Sequence, residues 1–148
     1  MKKLERICEI MAFILRLMGG SAYSKTKLVK LLYLLDVMYA RKGKMNFTGI
    51  EYTSYYYGPY SEEIDKSLQL LEQLGYITPF QQMGSEGKMY SCLDLHGDPE
   101  FGQLTGQEKS EIRQLLSRLV NRSLEELLDI TYATKEYKRT NFSEVIRL

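Results

Sequence analysis

Tryptophan is absent from the 148 residues, histidine occurs once, cysteine twice and proline three times. Each scarcity closes off a class of chemistry. His96 alone would have to serve as the base of any Ser- or Cys-based triad, and Leu95 and Gly97 beside it give no sign of that role. Cys8 and Cys92 lie far apart, with no CxxC spacing, so neither a disulfide framework nor a zinc site is expected and a reducing interior suits the chain. No HExxH, calcium-loop, GxGxxG or GxSxG pattern occurs. Gly84-Ser85-Glu86-Gly87-Lys88-Met89 fails as a phosphate loop: two residues separate the glycines, and Met89 stands where a hydroxyl should hold magnesium. No catalytic residue, cofactor or metal is therefore expected. No apolar run approaches the roughly 20 residues that cross a bilayer, and Ile10–Leu15, between Glu9 and Arg16, does not read as a signal peptide. The expectation is a cytoplasmic protein that does not enter a membrane.

Hydrophobic residues make up 44% and charged residues 26%, enough apolar material for one core without cross-links. The net charge is +1, but it is unevenly spread. Residues 1–50 carry ten lysines and arginines against Glu5, Glu9 and Asp36, whereas residues 51–104 carry nine acids against Lys66 and Lys88. Either the two parts pack against each other, or the polarity orients an approaching partner.

Leu4, Ile7, Cys8, Met11, Ile14, Leu15 and Met18 recur at helical spacing, which predicts a helix over 3–18 that ends at Gly19-Gly20-Ser21. A second helix is predicted from about Ser24 to Lys42, apolar nearly all round over Leu28–Leu35 and therefore central. Residues 47–57 read as a strand or extended segment broken by Gly58-Pro59. Ser61 caps a helix over 61–74 that Gly75 terminates. Tyr76–Phe80 and Lys88–Leu93 form a hairpin around the turn Gly84–Gly87. Thr105 with Glu108 and Ser123 with Glu126 are capping boxes that start helices over about 106–121 and 124–132. Beyond Lys135 the tail is polar, with Phe142, Val145 and Ile146 available to dock it. The order predicts a mainly helical α+β domain over 1–148. Its core over 1–95 is winged-helix-like, with a small antiparallel sheet and a β-hairpin, and a helical extension follows over 105–148.

A winged-helix outline raises DNA binding, with the 61–74 helix as reader. Its first turns carry Glu62, Glu63 and Asp65 against Lys66 alone, the wrong sign for phosphates. Lys27, Lys30 and Arg41 share one face of the second helix and read either as a phosphate stripe or as a solvated face.

Tyrosine is abundant, with 12 copies. Tyr52, Tyr55, Tyr56, Tyr57 and Tyr60 crowd around Gly58-Pro59, and Tyr33 sits on the second helix. Tyrosine combines contact area, small entropy loss and a hydroxyl, which suits a binding surface; the alternative is a wall of the core. Strand alternation would send Tyr55 and Tyr57 to one face and Tyr56 to the other. Asp36 lies on an apolar face opposite Lys27, Lys30 and Arg41. It needs donors, which a tyrosine hydroxyl or a backbone N–H near Gly58 could supply.

Lys27-Leu28-Val29-Lys30-Leu31-Leu32-Tyr33-Leu34-Leu35-Asp36 resembles the K-L-x-K-L-L-Y-x-x-D helix of the Panacea domain, the SocA-like and GepA-like antitoxin family. Phe47–Glu51, then Tyr57-Gly58-Pro59-Tyr60, resemble its second block, and Leu104–Glu108 and Ser123–Thr131 its C-terminal helices. The resemblance implies a non-enzymatic antitoxin that binds and neutralises a cognate toxin. In the SocA-like branch it also implies an adaptor that delivers the toxin to a cytoplasmic protease. Carried over, Lys27, Leu31, Tyr33, Asp36, Tyr57, Gly58 and Pro59 are signature positions. With the residues read above, the partner-binding candidates are Lys27, Lys30, Tyr33, Asp36, Tyr55, Tyr57, Gly58, Pro59 and Tyr60. The Gly75–Leu95 hairpin departs from the family's shorter link and keeps a DNA-binding regulator as the alternative.

Overall fold

The computed structural model describes residues 2–44 and 46–148. Helix α1 (Lys2–Leu17) buries the apolar stripe from Ile7 to Leu15. Helix α2 (Lys25–Arg41) starts where the Ser24 hydroxyl accepts from the Lys27 N–H. Every residue from Leu28 to Val37 of α2 is buried, so this helix runs through the middle of the core. Helix α3 (Glu62–Gln73) is capped by Ser61 and packs against α1 through Ile64, Leu68 and Leu71. Helices α4 (Gly106–Leu116) and α5 (Leu124–Ala133) both begin with complete capping boxes, and the short α6 (Lys135–Lys138) follows directly. Both capping boxes close within four residues of sequence, which is why both were legible before folding. Helix α4 stops at Leu116, five residues short of its predicted end, and the chain continues in turns.

Among the described residues two antiparallel sheets complete an α+β architecture of six helices. Strands β4 (Ile77–Met83) and β5 (Met89–Leu95) form the predicted hairpin. A two-residue strand, β1 (Ser21–Ala22), pairs with Asp94 and Leu93 to give the order β1-β5-β4. From sequence, Gly19-Gly20-Ser21 reads only as the end of a helix. Two residues carry too little pattern to signal a strand, and its partner lies about seventy residues away.

The second sheet corrects the reading of 47–57 as one strand broken at Gly58-Pro59. Strand β2 covers only Thr53–Tyr55, the chain reverses at Tyr56-Tyr57, and Gly58–Tyr60 returns as β3. Gly58 makes the reversal possible. Its φ is +102°, and an added Cβ would lie 3.0 Å from Tyr132 Cε1 and 3.2 Å from Lys30 Nζ. The C-terminal tail covers the other side of β2. Ser54 N–H donates to the Glu144 carbonyl, Ser143 N–H to Ser54, and Ile146 N–H to Tyr52. Of the three apolar tail residues, Ile146 is buried, while Phe142 and Val145 remain exposed.

The charge polarity resolves only in part into pairing between the two segments, since three of the pairs that follow reach acids of residues 51–104 and three reach acids of residues 105–148. Six ion pairs join a base of residues 1–50 to a later acid: Lys3–Glu63, Arg6–Glu108, Arg16–Asp98, Lys25–Asp65, Arg41–Glu136 and Lys44–Glu111. Arg6 also donates to the Phe47 and Gln103 carbonyls, which ties α1 to both flanking loops. Among the described residues no helix is long and apolar enough to cross a membrane.

Candidate functional site

The signature residues of α2 fall into an interior set and a groove set. Asp36 has no exposed surface, and three donors meet it. Thr48 N–H lies 3.0 Å from Oδ1, and the Thr48 and Tyr52 hydroxyls lie 2.6 and 2.7 Å from Oδ2. The tyrosine hydroxyl is of the kind expected, but the backbone N–H comes from Thr48 and not from the Gly58 turn. Burial outweighs these donors and raises the Asp36 carboxyl to about 6. Tyr33 is equally buried. Its hydroxyl lies 2.9 Å from Thr134 Oγ1, and its ring meets Tyr52 edge-on at 5.3 Å. Tyr33 and Asp36 thus reach no surface; they hold the 47–52 segment and the start of α6 to α2.

Lys30 overturns the reading of Lys27, Lys30 and Arg41 as a solvated basic face. Lys30 is only 2% exposed, and its ammonium donates to the Pro59 carbonyl at 3.2 Å, beneath the Gly58 turn. Burial lowers its pKa to about 8. Arg41 is engaged by Glu136 through two hydrogen bonds at 2.7 and 3.1 Å. Lys27 is half-buried, and burial lowers its pKa as well. On the helical wheel Lys30 reads as part of a phosphate stripe or of a solvated face, and neither places it in the interior. What covers it, the β2–β3 hairpin and Tyr132 of α5, comes from distant parts of the chain.

The tyrosines divide as well. Tyr52 lines the core and Tyr60 is half-buried, its hydroxyl donating to Asp65. Tyr55, Tyr56 and Tyr57 are all exposed, Tyr56 by 84% and Tyr57 by 81%. The predicted alternation fails because Tyr56 and Tyr57 form the turn and not a strand. Phe142 of the tail packs against Tyr56 in a tilted arrangement with ring centroids 4.8 Å apart. The result is an aromatic ridge of Tyr55, Tyr56, Tyr57 and Phe142, with Val145 exposed on the same tail. Periodicity did not single out Phe142 for this role; only the tail's pairing with β2 brings it there.

Beside the ridge lies a groove of about 570 Å³ between the first two turns of α2, β3, β5 and the start of α5. Lys25, Lys30, Tyr57, Tyr60, Met89 and Leu124 are among its walls. A second hollow, of about 370 Å³, shares Ser24, Tyr90 and Leu124 with it and adds Lys27 and Tyr23.

The acids at the start of α3 are largely engaged. Glu63 pairs with Lys3, and Asp65 with Lys25 and the Tyr60 hydroxyl, while Glu62 is exposed. This end of α3 holds carboxylates where a duplex would need cations. The Cys8 thiol is buried and pushed up to about 12 by burial, which makes it a poor nucleophile.

No curated protein and no solved structure matches the chain. The family described as "Antitoxin SocA-like, Panacea domain" matches residues 28–145, which include the buried α2 segment, the tyrosine hairpin and the C-terminal helices. The chain therefore belongs to the SocA-like antitoxin family with a Panacea domain.

Proposed function

We propose that this protein works by binding another polypeptide, a cognate toxin, and neutralises it by direct contact. The observation that carries the reading is the aromatic ridge. Three consecutive tyrosines at the β2–β3 hairpin, with Phe142 of the tail packed against Tyr56, form an exposed surface beside Gly58, buried Lys30 and half-buried Tyr132. Rigid, exposed aromatics of this kind are the usual anchors of protein interfaces. Tyr33 and Asp36 act from inside, by holding the segments that carry the ridge.

The β4–β5 hairpin that follows three helices, joined in its sheet by β1 from between α1 and α2, supports a winged-helix-like core. A DNA-binding use of that core has the engaged carboxylates of α3 against it. The basic end of the molecule is also largely consumed by internal ion pairs.

The test is co-purification with a toxin encoded beside this chain, and rescue of growth when both are expressed. Replacing Tyr56 and Tyr57 by serine should leave folding intact and abolish both. Rescue that depends on a cytoplasmic protease, with a shortened toxin lifetime, would assign the adaptor role. Tight, salt-sensitive binding to a promoter fragment with no protein partner would overturn the reading.

A further inference from the structure

A buried ammonium ordinarily has a carboxylate beside it, because removing a charge from water is costly without a counter-charge. Lys30 has none. Among the described residues its single acceptor is the neutral Pro59 carbonyl, so two of its three N–H donors are unused. Its surroundings are one-sided. The groove and the adjoining hollow are lined by Lys25, Lys27 and Lys30 and by no aspartate or glutamate. Ser24, Lys25 and Thr26, the first turn of the 17-residue α2, also line the groove and add the positive end of a helix. Lys25 is committed to Asp65, which leaves Lys27 in the hollow, and Lys30 with the helix end in the groove, as the uncompensated positive elements.

The opposite wall is the edge of β5. Strand β1 pairs with β5 only at Leu93 and Asp94, so nothing pairs with Met89–Ser91 on that side. The Leu95 N–H points to that side, since it donates to the Gly20 carbonyl. By strand alternation the backbone groups of Ser91 and Met89 point the same way, into the groove that these residues line. Open sheet edges accept added strands.

We infer that this groove takes an extended acidic segment of the partner polypeptide. The segment adds as a strand to β5 beside Met89–Ser91 and places a carboxylate on Lys30, in the second turn of α2. The inference rests on the protein-binding reading above for the class of partner. Its test needs no toxin, so the two can fail separately.

The probe is a nine-residue fluorescent peptide alternating valine and glutamate, with a valine–glutamine peptide as control. The intact chain should bind the glutamate peptide and bind the control about tenfold or more weakly, the expected worth of a charge-assisted bond in a buried setting. The Met89 and Ser91 amide protons should gain protection on binding. Lys30→Met should reduce affinity to the level of the control. Ser91→Pro removes one edge N–H and leaves the β4 ladder intact, so it should weaken binding even if the Lys30 variant folds poorly. Equal affinity for both peptides, no binding of either, or protection that maps away from β5 would each overturn the inference. Capture of a toxin by a chain that ignores the glutamate peptide would overturn the groove assignment alone.

Discussion

The Asp36 carboxylate and the Tyr52 hydroxyl meet at 2.7 Å in the interior, sixteen residues apart in sequence. Together with Thr48 this contact closes the α2-to-hairpin connection against α2. The aromatic ridge therefore begins at Tyr55, three residues beyond this buried anchor.

Asp36→Ala is expected to destabilise the fold by about 3 kcal/mol or more, because it strands three buried donors without an acceptor. Urea unfolding followed by circular dichroism measures this. An unchanged midpoint with lost partner binding would place Asp36 in recognition instead.

Acid should favour this carboxyl. Burial holds Asp36 at about 6, against 3.8 for a free aspartate. Between those values the folded chain keeps a proton that the unfolded chain has released. The contribution to stability is thus complete below pH 3.8 and is lost as pH rises to 6, by about 3 kcal/mol in all. Asp36→Asn has no such dependence. The stability of the natural chain relative to that variant should be higher at pH 4 than at pH 7; a constant difference would contradict the assignment.

Lys30 should titrate in the opposite sense to an ordinary stabilising lysine. Its folded pKa of about 8 lies below the 10.5 of a free lysine, so the unfolded chain binds more protons between those values. Stability from this group rises as pH goes from 8 to 10.5, and below pH 8 burial costs about 3 kcal/mol. Lys30→Met should therefore be at least as stable as the natural chain at pH 7, with the advantage shrinking by pH 10. Guanidinium unfolding of both proteins at the two pH values is the measurement. A lysine that costs stability is what a binding site would retain.

Gly58→Ala should cost about 2 kcal/mol or more, since it combines a left-handed φ with close approaches to Tyr132 and Lys30 that oblige both side chains to shift for a methyl group. Thermal unfolding reports the loss. The same substitution at Gly75, where φ is +81° but nothing lies within 4 Å, should cost less.

Arg41→Ala should destabilise the chain by about 2 kcal/mol although Arg41 itself is half-exposed, because Glu136 would remain buried without its cation. Hydrogen exchange should show α6 and the 143–146 tail opening first.

The sequence alone determined helices α1 to α5, the β4–β5 hairpin and the two capping boxes, whereas α6 lies where the sequence reads as a polar tail. Each rests on periodicity or on bonds within four residues, so no distant partner is needed to read it. The central place of α2 was legible for the same reason, from an apolar run too wide for one face. The family, too, could be read from the spacing of Lys30, Tyr33, Asp36 and the Tyr57-Gly58-Pro59 block. Tertiary structure decided the rest: the reversal at Tyr56-Tyr57, the two-residue β1, the tail paired to β2, and the burial of Lys30. Each depends on segments that meet only after folding. A lysine reads as solvent-facing until β3 and α5 close over it, and a phenylalanine near the C-terminus reads as core until the tail's register sets it on Tyr56.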